Sequence, residues 1–426
     1  MKIVQLSTSD MGGAGIAAKR LHLALLEKKI DSVFISKVSL DPANKANYIL
    51  QTEKNKSLAE RFITRTGSAL KGRLPLLNNN LNQYYFDNKR SGFEYFSFPF
   101  ADTEIELKSV PALEQADIIH LHWIADNFVD YKNIMGLSNK QYVWTLHDMN
   151  PFTGGCHHSD GCKKFEKNCN YCFQLEGTRD EYVSSKILNY KLDALRHLRD
   201  DQLKIITPSS WLGKLSSQSS CFSRFEHFVI PNIIDFETDT TTRETCRLEL
   251  GISNDEICLL FIAHSVDNPR KRIHLLKRAL EGIEDKDRIR LITIGQKGAL
   301  NFEGIKITEL GFITDKETMQ KAYKAADVFL LPSVAENFPN TVVESLLCGT
   351  PVIASDTGGI PEQINEKNGI LVKVNDEEEW VTVLSKFVNG EYKFVKENIQ
   401  KDALSRYNKE EIVNKHLELY NKTIKD

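Results

Sequence analysis

The residues Leu330-Leu-Pro-Ser-Val-Ala-Glu336 run from an apolar stretch into a loop, and an amphipathic segment from Thr341 carries Glu344 in its first turn. Carboxylates accept hydrogen bonds from hydroxyl groups, and a helix N-terminus favours anions. Together they suit a ligand that is both polyhydroxylated and anionic. Positive charge lies nearby in Arg270-Lys271-Arg272, after another apolar run at 257–263. Arginine meets phosphate oxygens bidentately and lysine acts as a point charge. Plainer readings exist for each group. Thr341-Val-Val-Glu344 fits a helix capping box, Glu336 an exposed loop carboxylate, and the basic turn a solvated one. The two sets support each other, because glutamates with no cationic complement would make a poor diphosphate site.

The first half of the chain offers a second group of candidates. Met11-Gly12-Gly13-Ala14-Gly15 follows an apolar run and opens a helical pattern, as a phosphate-facing loop or a tight structural turn would. Gly13-Ala-Gly15-Ile-Ala-Ala18 also satisfies a loose nicotinamide fingerprint, but that fold needs an acid at the end of strand two. Phe34-Ile-Ser-Lys37 carries none there. His122 and His147 close two strands, where ligands are met in sheets of this kind; His120 points to the same face as His122 and offers itself as a packing partner.

Cys156, Cys162, Cys169 and Cys172 crowd into one window, with His157 and His158 beside them. Four thiolates suit a closed structural zinc site. Disulfides, an empty reduced cluster and an iron–sulfur centre remain as alternatives. The other four cysteines are scattered singly, as small buried residues are.

Positioning these residues requires alternating strands and helices. Strands are expected at 3–7, 32–36, 94–98, 117–122, 141–146, 204–207 and 227–230, then at 257–263, 290–295, 306–310, 327–331, 351–355 and 370–372. Helices between them include 272–281, 316–325 and 341–347. Such βα alternation implies an α/β protein with two doubly wound, parallel-sheet, Rossmann-like domains facing a cleft. The expected domains are residues 1–232, completed by a C-terminal helix at 409–426, and residues 233–408.

Composition excludes several classes. With 426 residues, 41% hydrophobic and 27% charged, the chain is neither disordered nor fibrous. A balance of 55 Lys+Arg against 58 Asp+Glu argues against a nucleic-acid binder. No apolar run reaches the ~18–20 residues of a membrane span, and the N-terminus reads as a strand, so a cytoplasmic protein is expected. Residues 57–74 combine an apolar face with basic charge, which suits peripheral contact with an anionic membrane at its inner face or a core-facing helix.

Glu336-x7-Glu344, followed by Cys348-Gly-Thr-Pro-Val-Ile-Ala-Ser-Asp356-x-Gly-Gly-Ile-Pro-Glu362, resembles the donor-site signature of the retaining family-four glycosyltransferases with the GT-B fold. The glycine loop, Pro231-Asn-Ile-Ile-Asp235 and Thr145-Leu-His-Asp148 fall where that family has counterparts. The resemblance implies transfer of a sugar from a nucleotide-diphosphate-sugar donor to a glycan or lipid-linked acceptor, in bacterial surface polysaccharide or glycolipid synthesis, without a catalytic cofactor. It implies that Glu344 binds ribose hydroxyls and Glu336 holds the donor sugar. Phe338, Asn340, Thr341 and Val342 would offer backbone amides, and Arg270 and Lys271 would neutralise the leaving diphosphate. Gly13 would lie against the diphosphate and His147 beside the sugar, with Gly15 and His122 as further substrate-binding candidates. Two departures stand out: Phe338-Pro339-Asn340 replaces Phe-Gly-Leu, removing one amide, and Ala263-His264-Ser265 replaces Gly-Arg-Leu, which passes that role to Arg270. A nucleotide-sugar 2-epimerase and a non-catalytic carbohydrate- or nucleotide-binding protein are the alternatives; a nicotinamide oxidoreductase is the weakest.

Overall fold

Parallel strands buried on both faces read as nearly unbroken apolar runs, as Ile257–Ser265 (β8) does, whereas Lys2–Ser9 (β1) is buried from Ile3 to Thr8 although Gln5, Ser7 and Thr8 are polar. In the computed structural model, which describes residues 1–39, 47–49, 110–126, 128–137, 139–175, 182–236, 241–265, 268–284, 286–296 and 302–425, each begins a parallel sheet. The first sheet adds Asp31–Val38 (β2), Asn47–Ile49 (β3), Ile118–Leu121 (β4), Gln141–Thr145 (β5), Leu203–Thr207 (β6) and Glu226–Val229 (β7), in the order β3-β2-β1-β4-β5-β6-β7. The second adds Ile289–Gln296 (β9), Lys306–Gly311 (β10), Val328–Leu331 (β11), Val352–Ser355 (β12) and Gly369–Val372 (β13), in the order β10-β9-β8-β11-β12-β13. Every pairing is parallel.

Period-two alternation builds the core of the second sheet. Leu260, Phe329, Leu331, Val352 and Ala354 join one apolar cluster with Tyr323, Val342 and Leu346. Leu259, Phe261, Val328, Leu330 and Ile353 join another with Leu276, Leu280 and Trp380. Helices therefore cover both faces, from Ile273–Glu281, Lys316–Ala325, Asn340–Leu347 and Glu377–Val388. In both sheets the strand order reverses beside the first strand, between β1 and β4 and between β8 and β11. In doubly wound sheets, ligands bind outside the carboxyl ends of the strands at such a point.

Two compact units emerge: Met1–Thr207 with Leu212–Val229 and His416–Asp426, and Pro208–Trp211 with Ile230–Lys415. The C-terminal helix Lys409–Lys425 divides between them. Strand β3 was not expected from the sequence. The expected strand at 94–98, the basic stretch 57–74 and most of 40–92 lie outside the described residues. Among the described residues, no helix is long and apolar enough to cross a membrane.

Candidate functional site

At the switch point of the second sheet, the loop after β8 meets the loop after β11. Asn268 caps a single turn at Pro269–Lys271, its side chain accepting from the Arg270 amide at 2.9 Å. This turn brings two cations onto one carboxylate. Lys271 Nζ donates to Glu336 Oε1 at 2.6 Å, and Arg270 Nη1 stands 3.2 Å from the same oxygen while also donating to the Ala335 carbonyl at 2.8 Å. Glu336 is only 8% exposed. Two positive charges against one negative leave a net positive site in a partly desolvated place, where charges act more strongly than in water.

Gly358 makes this loop geometry possible. It has φ +58°, and a Cβ there would lie 1.7 Å from the Glu336 carbonyl oxygen. The next amide, Gly359 N–H, donates to that same carbonyl at 3.3 Å. The glycine pair thus packs against the backbone of Glu336. Thr357-Gly-Gly359 was part of the signature quoted above, yet its reason shows only in space.

The helix Asn340–Leu347 begins two residues earlier than the capping-box pattern requires. Pro339 is its N-cap and supplies no side-chain hydrogen bond. Glu344 therefore lies beyond the first turn and caps nothing. It is buried, and Tyr323 Oη donates to its Oε2 at 3.0 Å. Tyr323 was missed in the sequence because it sits on a different helix. Phe338 and Val342 are core side chains, Phe338 edge-on to Tyr407, so only their backbone groups can face a ligand. Asn340 Oδ1 accepts from Asn232 Nδ2 at 2.9 Å, and Thr341 is half-buried.

In the first unit the glycines separate. The helix Gly12–Glu27 starts without a side-chain cap. A Cβ on Gly15 would lie 2.3 Å from the Ser9 carbonyl oxygen, whereas one on Gly13 meets nothing within 4 Å. Gly15, a substrate-binding candidate, lets this helix pack onto β1. Gly13 is exposed.

The histidines form a buried cluster. His122 is 2% exposed, stacked on His120 at 4.3 Å, and its Nδ1 lies 3.1 Å from His147 Nε2. His122, a substrate-binding candidate, is thus buried here, whereas His147 is half-buried. His120 bridges Tyr420 Oη at 2.7 Å and Thr145 Oγ1 at 2.8 Å. Burial lowers the pKa of His147 to about 4, partly opposed by Asp148, and holds His120 and His122 well below the usual range. The Asp148 carboxyl is raised by burial, but His157, whose Nδ1 donates to it at 2.7 Å, and the Asn150 amide outweigh that and keep it low.

The four clustered cysteines line one cavity of about 20 Å³ with Thr153, Phe165 and Ser184. Among the described residues, however, no group of three or more His, Cys, Asp or Glu side chains is arranged to hold a metal ion. The zinc expectation for Cys156, Cys162, Cys169 and Cys172 is therefore not supported. Burial pushes the Cys156 and Cys172 thiols up and the Cys169 thiol to about 11. Cys169 Sγ accepts from the Gly154 amide at 3.2 Å, and His157 is engaged with Asp148. Lys191 holds this loop from beneath: fully buried, it donates to the carbonyls of Asn150 and Thr153. Its signal was legible as a lysine on the apolar face formed by Ile187, Leu188, Ala194 and Leu195.

Residues 256–389, which contain the Arg270–Lys271–Glu336 cluster and Glu344, match the family described as Glycosyl transferases group 1. Relatives extend the likeness. An uncharacterized glycosyltransferase of Methanocaldococcus jannaschii is 26% identical over 75% of this chain and 79% of its own length. A protein of Escherichia coli named as a colanic acid biosynthesis glycosyl transferase, WcaC, is 24% identical over 60% of this chain and 64% of its own, just under two thirds. Among solved structures, HepE of Anabaena in complex with UDP-glucose superposes with a TM-score of 0.66 at 17% identity, covering 99% of each chain. WaaG, a glycosyltransferase involved in lipopolysaccharide biosynthesis, superposes at 0.59 and 14% identity, over 98% of this chain and 99% of its own. The chain thus has the GT-B fold, with two Rossmann-like sheets.

Proposed function

We propose that this chain transfers a sugar from a nucleoside diphosphate sugar to a glycan or lipid-linked acceptor, with retention of anomeric configuration, in the synthesis of a bacterial surface polysaccharide. The observation that carries the reading is the Arg270–Lys271–Glu336 cluster at the β8/β11 switch point. Its surplus positive charge, beside a helix N-terminus, matches an anionic diphosphate, and its carboxylate matches sugar hydroxyls. The HepE and E. coli WcaC relatives support this substrate class by what they bind or are named for.

Charge dictates the chemistry. The bond from the anomeric carbon to the phosphate oxygen breaks, and its electron pair leaves with the phosphate. Arg270, Lys271 and the amides at the start of Asn340–Leu347 stabilise that developing charge. The acceptor oxygen bonds to the anomeric carbon from the same face, and its proton passes to the departing phosphate oxygen. Glu336 orients the sugar, Glu344 holds the ribose from its Tyr323-anchored position, Gly13 lies against phosphate, and His147 meets a sugar hydroxyl. The cysteine loop, residues 156–172, follows His147 in the chain and orders the acceptor side.

A thermal-shift panel of uridine, guanosine, adenosine and thymidine diphosphate sugars tests this reading, since a ligand that binds the folded state stabilises it by mass action. One donor class should raise the melting temperature, and Glu344→Ala should shrink the shift. With that donor and a glycan acceptor, the product should keep the donor's anomeric configuration by proton NMR. No shift from any donor, or an inverted product, would overturn it.

A further inference from the structure

Beside the clustered cysteines, two paired aromatic rings stand open to solvent. Residues 146–182 connect the carboxyl end of β5 to the helix Val183–Leu195, which runs back toward β6. Tyr182 immediately precedes that helix, so it stands at the edge of the first sheet where ligands are met. Tyr171 lies against it, with ring centroids 5.4 Å apart, planes inclined at 56° and hydroxyl oxygens 2.9 Å apart. Tyr171 is 55% exposed, Tyr182 49% and neighbouring Phe173 40%. Large aromatic faces in water gain free energy from cover.

The surrounding loop fixes this pair in place. Tyr171 has φ +50°, a left-handed backbone that a bulky side chain adopts only under constraint. Two constraints are visible. Lys164 Nζ donates to the carbonyls of Asn170 at 3.0 Å and Tyr171 at 2.9 Å. Next to each tyrosine, a residue is anchored in one apolar cluster: Cys172 beside Tyr171 and Val183 beside Tyr182, packed with Cys156, Leu175 and Ile187. The anchored neighbours hold the two rings together, and the strained backbone turns Tyr171 outward instead of into that cluster.

An aromatic face carries partial negative charge. One face of a pyranose ring presents C–H groups, with hydroxyls set around its edge. The C–H face can lie on an aromatic ring while the edge meets polar atoms, and two inclined tyrosines whose hydroxyls meet offer both surfaces. A membrane-docking face spans several helical turns of apolar side chains, which this patch does not. We infer that Tyr171 and Tyr182 form a binding platform for a pyranose ring of a glycan, and that the cysteine loop holds that platform in place. Calling the glycan the acceptor rests on the proposed function; the platform itself does not.

Titration of the full chain, labelled with 13C-tyrosine, with the methyl glycosides of glucose, galactose and mannose tests this by NMR, with glycerol as the hydroxyl-only control. The Tyr171 and Tyr182 ring signals, assigned by their loss in Tyr171→Phe and Tyr182→Phe, should shift saturably below about 50 mM with at least one glycoside and not with glycerol. Tyr182→Ala should weaken that binding about tenfold. Asparagine accepts left-handed backbone, so Tyr171→Asn should keep the unfolding midpoint while the glycoside response disappears. A response retained in Tyr171→Asn overturns the proposal, and so does the absence of any shift or an equal shift with glycerol. If Tyr171→Asn does not fold, Tyr182→Ala carries the same test. Shifts brought by phosphatidylcholine vesicles, or by raising the protein concentration, in place of the glycosides would assign the rings to a lipid surface or a second copy and overturn it as well. Ring shifts with no donor stabilising the fold would sink the proposed function and leave the platform standing. Donor binding without ring shifts would overturn the platform alone.

Discussion

Lys271 Nζ lies 2.6 Å from Glu336 Oε1, although the two residues are 65 positions apart in the chain. The contact joins the ends of β8 and β11 and holds a buried carboxylate in place. On the proposed function, replacing Lys271 with Met removes a charge that faces the leaving phosphate as well as the partner that holds Glu336. Turnover should fall by about 10²–10³-fold, as for other groups that stabilise leaving-group charge. Steady-state assay with saturating donor checks it; an unchanged rate would remove Lys271 from the machinery.

The glycines give a stability contrast. Gly358→Ala must push the Glu336 backbone aside and should destabilise the second unit by about 2 kcal/mol or more. Gly13→Ala meets no atom and should leave the unfolding midpoint where it was while weakening donor binding. Chemical denaturation and donor titration read the two effects separately.

Tyr323→Phe removes one neutral-to-carboxylate hydrogen bond to Glu344. A loss of about 1–2 kcal/mol in stability is expected, together with a weaker nucleotide affinity, since Glu344 loses its anchor. Calorimetric titration with the nucleoside diphosphate alone should show the change.

Lys191→Met leaves the Asn150 and Thr153 carbonyls without their buried donor. The loop that carries the cysteines should loosen, at a cost of about 2–3 kcal/mol. Faster hydrogen exchange at residues 150–156 is the measurement; protection equal to the unaltered protein would contradict it.

Acid should weaken the first unit before its carboxylates titrate. His22 and His147 are held to about 4 in the folded chain, mainly by burial, with Lys19 also acting on His22 and Asp148 partly opposing at His147. Unfolded, each titrates near the ordinary 6.5, so the unfolded state binds more protons between the two values. Stability is therefore complete above that range and is lost as pH falls through it, at about 1 kcal/mol per pH unit for each such histidine. Denaturation midpoints compared at about pH 7 and about pH 5 should show this loss, and His22→Leu should lessen it.

The period-two and helical patterns determined most strands of both sheets and the helices of the second half, because apolar spacing encodes which face of each element is buried. Helix Lys316–Ala325 has the bounds read from its spacing, and Glu336, Glu344, Arg270 and Lys271 were recognisable as residue types placed beside strand ends. What sequence could not decide was which of these partners meet. Thr341 and Glu344 have capping-box spacing, yet Pro339 starts the helix and Tyr323, from another element, takes the carboxylate. His122 and His147 have the same local setting, but β1, β4 and β5 bury one behind the other. The cysteines share a window in sequence, and whether thiols serve a metal depends on directions that packing alone determines. Local spacing specifies faces; partners, charges and protonation come from elements distant in the chain, and only the folded arrangement brings them within hydrogen-bond reach.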